Sequence, residues 1–356
     1  MAELKFTRKV EQIKIGEKNI STLLQEMSRT GFQGRKLGEI TDVWLEMIKD
    51  KDLTIFFGYA GSLSTTGQCN IVKWLIEKRY IDVLVSTGAN ISEDIVDAMG
   101  YPYWQGSHLV NDLEVLKSDY NRYYDVYGKE TDYTKMMEVL AEFIMTLKED
   151  YHYTTREFLY ECGKWLNKKE INSIIATAAK YKVPVFCPAI TDSPYGDAAL
   201  MAKSRGFNLV LDAVKDYFEF MSIADKVTEV GVIYIGGGVP KDFIQLLAVS
   251  SPYTFDGKRL PNRKEGTKFF RNKLGEYCYP HKFAIQITTD SPQWGGLSGC
   301  TFEEAISWGK INPQGRFVQC YSDATIALPL VSHAINERIK KRPKIPDFSW
   351  LFEKKS

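Results

Sequence analysis

The chain has little of what builds metal centres or cross-links. Its six cysteines, at positions 69, 162, 187, 278, 300 and 320, lie far apart and form no C-x-x-C pair, and its four histidines are scattered. That argues against zinc and against a disulfide framework, and predicts no metal and a reducing, cytoplasmic setting. No apolar run approaches the roughly 18 residues of a membrane span, and the opening Met-Ala-Glu-Leu-Lys-Phe-Thr-Arg-Lys has no apolar signal core. Neither charge sign is in excess: 46 Lys plus Arg stand against 45 Asp plus Glu, so nothing points to nucleic acid or a membrane surface. There is no internal repeat and no linker long enough to separate domains.

What is present is ordinary for a globular protein: 356 residues, 44% hydrophobic and 26% charged, enough for one large α/β domain. Short β-rich runs recur at 54–59, 81–87, 183–188, 208–212, 231–236, 283–289 and 316–322. Most are continuous apolar stretches, as expected of strands buried on both faces. Between them Met136, Met137, Leu140, Phe143, Ile144 and Leu147 recur at helical spacing, as do Ile71, Trp74 and Leu75. The alternation predicts a single α/β domain: a Rossmann-like, mostly parallel sheet with helices on both faces. Two regions read as irregular. Residues 101–133, rich in tyrosine, could wrap over the fold or meet another subunit. Residues 250–282 form a long basic loop with Lys258, Arg259, Arg263, Lys264, Lys268, Arg271, Lys273 and Lys282. It reads as a solvated insertion or, alternatively, as an interface or a cover over a site.

The most informative stretch is Glu303-Glu304-Ala305-Ile306-Ser307-Trp308-Gly309-Lys310, which sets a lysine after a Trp-Gly pair at a helix end. A lysine amine can hold an electrophilic carbon as an imine if it is neutral when it attacks. Its ordinary pKa of about 10.4 must fall by roughly three units for that. A neighbouring indole, by excluding water, would push it that way. The plain alternative is a surface lysine favoured by the helix dipole.

Ligands of open parallel sheets bind beyond the carboxyl ends of the strands. Here those ends are repeatedly acidic: Glu93 and Asp94 follow Thr87, Asp192 and Asp197 follow Pro188, Asp290 follows Thr289, and Asp323 follows Ser322. Singly, each reads as a helix cap or turn residue. Together they would make a negative pocket for a polycation. Gly236-Gly237-Gly238 follows an apolar strand and precedes a helix, but lacks the dinucleotide spacing. The loop Gly58-Tyr59-Ala60-Gly61-Ser62-Leu63-Ser64-Thr65-Thr66-Gly67 is the better phosphate or ribose loop, or else a plain βα turn.

Taken in order, these landmarks resemble the deoxyhypusine synthase family. Glu304 to Ile311 with Tyr321-Ser322-Asp323-Ala324 looks like its C-terminal signature. Thr30-Gly31-Phe32-Gln33, Phe57-Gly58-Tyr59, Val83-Leu84-Val85-Ser86-Thr87, the run from Pro184 to Asp192, Gly196-Asp197, Leu209-Val210-Leu211-Asp212 and the triple glycine are similar too. The likeness implies a catalytic domain over 28–342, with 1–27 as an N-terminal extension, 250–282 as an insertion and 343–356 as a tail.

It also implies that NAD oxidises a polyamine, typically spermidine, whose aminobutyl unit is held on a lysine after diaminopropane leaves. That unit passes to an acceptor: a lysine of a translation factor precursor, or putrescine in homospermidine synthases. By position, Lys310 resembles the imine-forming lysine and Trp308 the aromatic wall beside the polyamine. Glu93, Asp197 and Glu304 resemble polyamine-binding carboxylates. Gly237, Asp242, Gly295, Gly296 and Leu297 fall where the substrate is met. The NAD positions match Gly61, Ser62, Leu63, Ser64 and Thr65; Thr87, Gly88 and Ala89; Glu93, Asp192, Thr289, Asp290, Asp323 and Ala324. The family further implies a homotetramer with sites between subunits.

Three departures bear on substrate choice. The family's paired histidines after G-G-G-x-x-K are replaced: Lys241 is followed by Asp242 and Phe243. Its Gly-Ser-Asp-Ser-Gly loop reads Gly295-Gly296-Leu297-Ser298-Gly299. Its Glu-Glu pair reads Ser92-Glu93. The altered shell favours a small amine acceptor and a homospermidine-type product. A deoxyhypusine synthase acting on a protein lysine is the alternative, followed by a silent regulatory subunit.

Overall fold

A computed structural model describes residues 8–254 and 278–353. Six of the seven expected strands form one sheet: β1 (Leu53–Tyr59), β2 (Val83–Ser86), β3 (Val185–Phe186), β4 (Glu229–Ile235), β5 (His281–Thr288) and β6 (Ile311–Tyr321). Their order is β6-β5-β4-β1-β2-β3 and every pairing is parallel. Neighbouring residues of a strand face opposite sides, and both sides are filled. Ile55, Phe57 and Tyr59 join Ile233, Ile235, Ile285 and Ile287 in one apolar cluster. Phe56 joins Val83, Val85, Val232, Tyr234 and Ala284 in the other. That two-sided burial is why the strands read as unbroken apolar runs.

Helices Phe32–Lys49 and Ala324–Arg338 cover the first face with Ile40, Trp44, Met47, Leu328 and Val331. Helices Ala213–Ser222 and Gly238–Thr254 cover the second with Phe220, Met221, Ile244 and Leu247. The chain is therefore the expected single α/β domain. Among the described residues, no helix is long and apolar enough to cross a membrane.

Three details differ from the sequence reading. The run 208–212 stays out of the main sheet: Val210–Leu211 pairs in parallel with His152–Tyr153 as a separate two-stranded sheet. Its residues are only half-buried, and Asp212 ends it by accepting the Lys215 N–H at 2.8 Å as a helix cap. Residues 101–133 are not irregular. Trp104–Gln105, Tyr120–Tyr123 and Val126–Lys129 form a small antiparallel sheet beside the helix Asp112–Lys117. A chain of hydroxyls, Tyr123 to Tyr133 at 2.7 Å and Tyr133 to Tyr103 at 2.8 Å, ties this sheet together. Tyr103 also donates to the carbonyl of Glu93 at 3.0 Å. Of the basic loop, Lys258, Arg259, Arg263, Lys264, Lys268, Arg271 and Lys273 lie outside the described residues. Lys282 belongs to β5 and pairs with Asp50 at 2.8 Å.

The amino ends of β1 and β2 are locked by Arg342. This fully buried guanidinium lies 2.7 Å from Asp82, itself fully buried, and donates to the Leu53 carbonyl at 2.6 Å. Asp82 in turn accepts the Ile55 N–H at 2.8 Å. Removing one partner would leave the other charge buried and alone. Arg342→Ala should therefore lower unfolding free energy by about 3–5 kcal/mol in urea titration. A loss below about 1 kcal/mol would show that water reaches Asp82 and that the pair is not the lock.

Candidate active site

The Trp-Gly-Lys signature is a helix C-cap. The helix Phe302–Ser307 starts at Thr301, whose hydroxyl accepts the Glu304 N–H at 3.1 Å. It ends with Gly309 N–H on the Ile306 carbonyl at 2.9 Å and Lys310 N–H on the Ala305 carbonyl at 3.0 Å. Those two bonds define a Schellman motif, which needs a left-handed residue between them. Gly309, at φ +73°, supplies it without a side-chain clash. The cap reverses the chain and starts β6, leaving Lys310 at the turn.

There the Lys310 Nζ lies 2.7 Å from Asp242 Oδ1. Asp242 stands near the start of the helix Gly238–Thr254, which leaves the carboxyl end of β4. The Lys310 backbone is instead at the amino end of β6, its carbonyl accepting from His281 N–H at the start of β5. The long side chain bridges that distance. Lys310 is well shielded, with 11% of its side chain exposed. The indole of Trp308 is 5.6 Å from the amine, and 65% of it is exposed on the single chain.

The neighbouring lysine has the opposite environment. Lys241 is fully buried and donates to Gln286 Oε1, Leu297 O and Cys300 O at 3.0, 3.1 and 2.7 Å. Burial pushes its ammonium down to about 8. With no exposed surface and its hydrogens committed, Lys241 is not available as a nucleophile. Sequence reasoning passed over it; the only signal was a lysine four residues into the first turn after a triple glycine.

Loop 295–300 packs onto that region. A Cβ at Gly237 would lie 2.4 Å from Ser298 Cα, so the space the glycine opens is filled by the chain's own backbone. Ser298 donates to Asp290, and this bond holds the Asp290 carboxyl below its usual range. Gly295, Gly296 and Leu297 follow on the exposed side of the same loop, with Leu297 half-buried.

A second cluster occupies the carboxyl ends of β1 and β2. Ser62 donates to Glu93 at 2.7 Å. The N–H groups of Leu63 and Ser64 both point at Asn90 Oδ1, and Thr65 closes the loop onto the Ser62 carbonyl. The Thr87 hydroxyl donates to Gly61 O at 3.0 Å rather than capping the helix Gly88–Ala98 that it precedes. A Cβ at Gly88 would lie 2.2 Å from Ser193 Oγ, which brings the segment after Asp192 against Gly88 and Ala89. Glu93 is buried, and burial pushes its carboxyl up to about 7. Asp94 is structural: fully enclosed, it accepts the Ile174 N–H that opens another helix.

Asp192, Asp197 and Glu304 are exposed, as is Thr289; burial, with the nearby Glu304 carboxylate, pushes the Cys300 thiol up. Asp323 caps the helix that begins at Ala324, accepting the Thr325 N–H at 2.7 Å. Among the described residues, no hydrogen bond or ion pair joins Glu93 to Lys310.

Comparison with known proteins gives a consistent result. The family model for deoxyhypusine synthase matches residues 22–335. The chain is 40% identical over 341 residues to "Probable deoxyhypusine synthase 2" of Methanosarcina mazei, covering 95% of this chain and 93% of that protein. "Probable deoxyhypusine synthase 1" of the same organism is 36% identical over 323 residues, covering 91% and 92%. The fold resembles that of a "putative deoxyhypusine synthase" from Entamoeba histolytica, with TM-score 0.61 at 20% identity over 93% of this chain and 98% of that one.

The Glu93 environment makes a pH-dependent prediction. The folded chain keeps this proton up to about pH 7, whereas an ordinary glutamate releases it near 4.5. Between those values the unfolded state binds fewer protons, so this group's contribution to stability falls as pH rises. Glu93→Gln should be more stable than the parent at pH 8 by up to about 3 kcal/mol and nearly equal at pH 4, by urea titration. Equal stability at both pH values would mean that the carboxyl is hydrated in solution.

Proposed function

Because the chain belongs to the deoxyhypusine synthase family, we propose that it is an NAD-dependent aminobutyl transferase that carries a polyamine fragment on Lys310 to a small amine. The observation that carries this reading is the 2.7 Å contact between the Lys310 amine and Asp242. The carboxylate holds the shielded amine as an ammonium while the pair is intact, and it is in place to keep the proton once a substrate ammonium draws the pair apart.

In this scheme Asp242 accepts the proton and the free amine attacks the oxidised carbon of the polyamine. A C–N bond to Lys310 forms, and the diaminopropane nitrogen leaves with a proton. The acceptor amine then attacks the same carbon and frees Lys310. NAD held by the loop Gly61–Thr65 and by Thr87, Gly88 and Ala89 would supply reversible hydride acceptance, so that the net reaction would be alkyl transfer. Glu93, ionised as pH rises through about 7, together with Asp197 and Glu304, pairs with the polyamine's ammonium groups. Trp308 offers its exposed face to the methylene chain.

The rim residues suit NAD by their chemistry. The hydroxyl-bearing loop Gly61, Ser62, Leu63, Ser64 and Thr65 stands beside Thr87, Gly88 and Ala89 at adjacent strand ends. With Thr87 turned to Gly61, the helix Gly88–Ala98 has no side-chain cap, which favours a phosphate there. Asp192, after β3, and Asp290 and Asp323, after β5 and β6 at the opposite edge of the sheet, are carboxylates of the kind that suits ribose hydroxyls. Membership of the family supports an oligomer, and the assembly proposed is a homotetramer with sites between subunits.

The small acceptor is supported by the lost acids at Ser92 and Leu297, and by the chain's greater likeness to the second of two forms in one organism. A second copy beside a first is free to take a different acceptor. The alternative, modification of a lysine on a translation factor precursor, is supported by the names that both relatives carry.

Lys310→Ala should lower amine transfer by more than about 10³-fold while leaving NAD binding intact. Asp242→Asn should lower kcat by about 10²–10⁴-fold. With NAD, labelled spermidine and putrescine, the parent should form homospermidine. Label found only on an added factor precursor would support the alternative, and full activity of Lys310→Ala would refute both.

A further inference from the structure

A buried ammonium without a carboxylate partner is costly, and a well-packed apolar side chain is often as stable in its place. Lys241 is such a group among the described residues, so its presence asks for a reason in geometry. Its three hydrogen bonds gather atoms from two separate parts of the chain: Gln286 on β5, and the carbonyls of Leu297 and Cys300. Gln286 extends the set by donating to Gly236 O and Ser298 O, both at 2.8 Å. Gln319, on β6, donates to Gln286 Oε1 at 2.8 Å and Cys300 O at 3.0 Å, and accepts the Phe302 N–H at 3.1 Å. Backbone groups of Leu297, Ser298, Cys300 and Phe302 are thus fixed by two buried side chains, Lys241 and Gln286, and the half-buried Gln319. The aromatic rings of Tyr234 and Phe302 lie 6.0 and 5.8 Å from the ammonium.

We propose that Lys241 is a positioning residue which, with Gln286 and Gln319, anchors segment 297–302 and so fixes where the following helix delivers Lys310 against Asp242. The proposal rests on the reading of Lys310 as the carrier. Lys241 directly precedes Asp242 on one helix, so a single turn holds both the anchor of the loop and the partner of the reactive amine. The carboxylate and the amine are then set from both ends of one rigid unit. At neutral pH the ammonium, with its pKa brought down to about 8, still mostly carries the third hydrogen that this arrangement uses. Such a network rigidifies only when every member is satisfied.

The test compares Lys241→Met and Gln319→Leu with the parent, by amide exchange and steady-state kinetics on the full chain. Peptides covering 297–304 should exchange at least about tenfold faster, while those of β1 and β4 stay unchanged. In the same variants kcat should fall about 10–100-fold with KM for NAD within about twofold. Unchanged exchange in 297–304, or faster exchange spread evenly over the sheet, would overturn the proposal. So would a parental kcat with the loop loosened. If Lys241→Met does not fold, Gln319→Leu decides alone. Lys310→Ala serves as the control: turnover surviving there refutes the carrier reading, while the exchange result still judges the anchor.

Discussion

One ion pair organises the proposed site: the Lys310 amine sits against Asp242, shielded from bulk water. Two distant pieces of chain meet to achieve this. Asp242 arrives on the helix that follows β4. Lys310 arrives from the Schellman turn that ends a six-residue helix, and that turn works only because Gly309 accepts a left-handed backbone. A substitution at either support would disturb how the amine is placed, which matters wherever reacting atoms must align.

The sheet behind them is a rigid platform. Both faces are packed, and the amino ends of β1 and β2 are tied to the C-terminal segment by Arg342 and Asp82. Rigidity at that end leaves the carboxyl ends free for chemistry. There the protein arranges one cluster around Glu93 and another around Asp242, Asp290 and the loop of Ser298. The electrostatics differ between them. Glu93 is pushed toward neutrality by burial, whereas Asp290 is held ionised by its hydrogen bonds.

Much of this architecture was legible in the sequence, because two-sided burial writes itself as unbroken apolar runs. The run at 208–212 misled for the same reason: it is apolar but too short, and Asp212 turns it into a helix cap. The small sheet within 101–133 was missed because its strand residues are mostly half-buried or exposed, and its Tyr123 bonds to Tyr133 on the following helix, giving no clean alternation. Lys310 stood out through local spelling. Asp242 stood out only as a departure from a family pattern; nothing in the sequence says that it meets a residue 68 positions away. The Lys241, Gln286 and Gln319 network was invisible for the same cause, since each glutamine reads alone as an ordinary polar residue in a strand.

The account stands or falls on Lys310 as a covalent carrier. The direct measurement is borohydride reduction of the enzyme during turnover with NAD and spermidine, followed by mass mapping of its peptides. The account predicts a reduced four-carbon amine adduct on the peptide that contains Lys310. An unmodified Lys310 peptide from enzyme that is demonstrably turning over would contradict it.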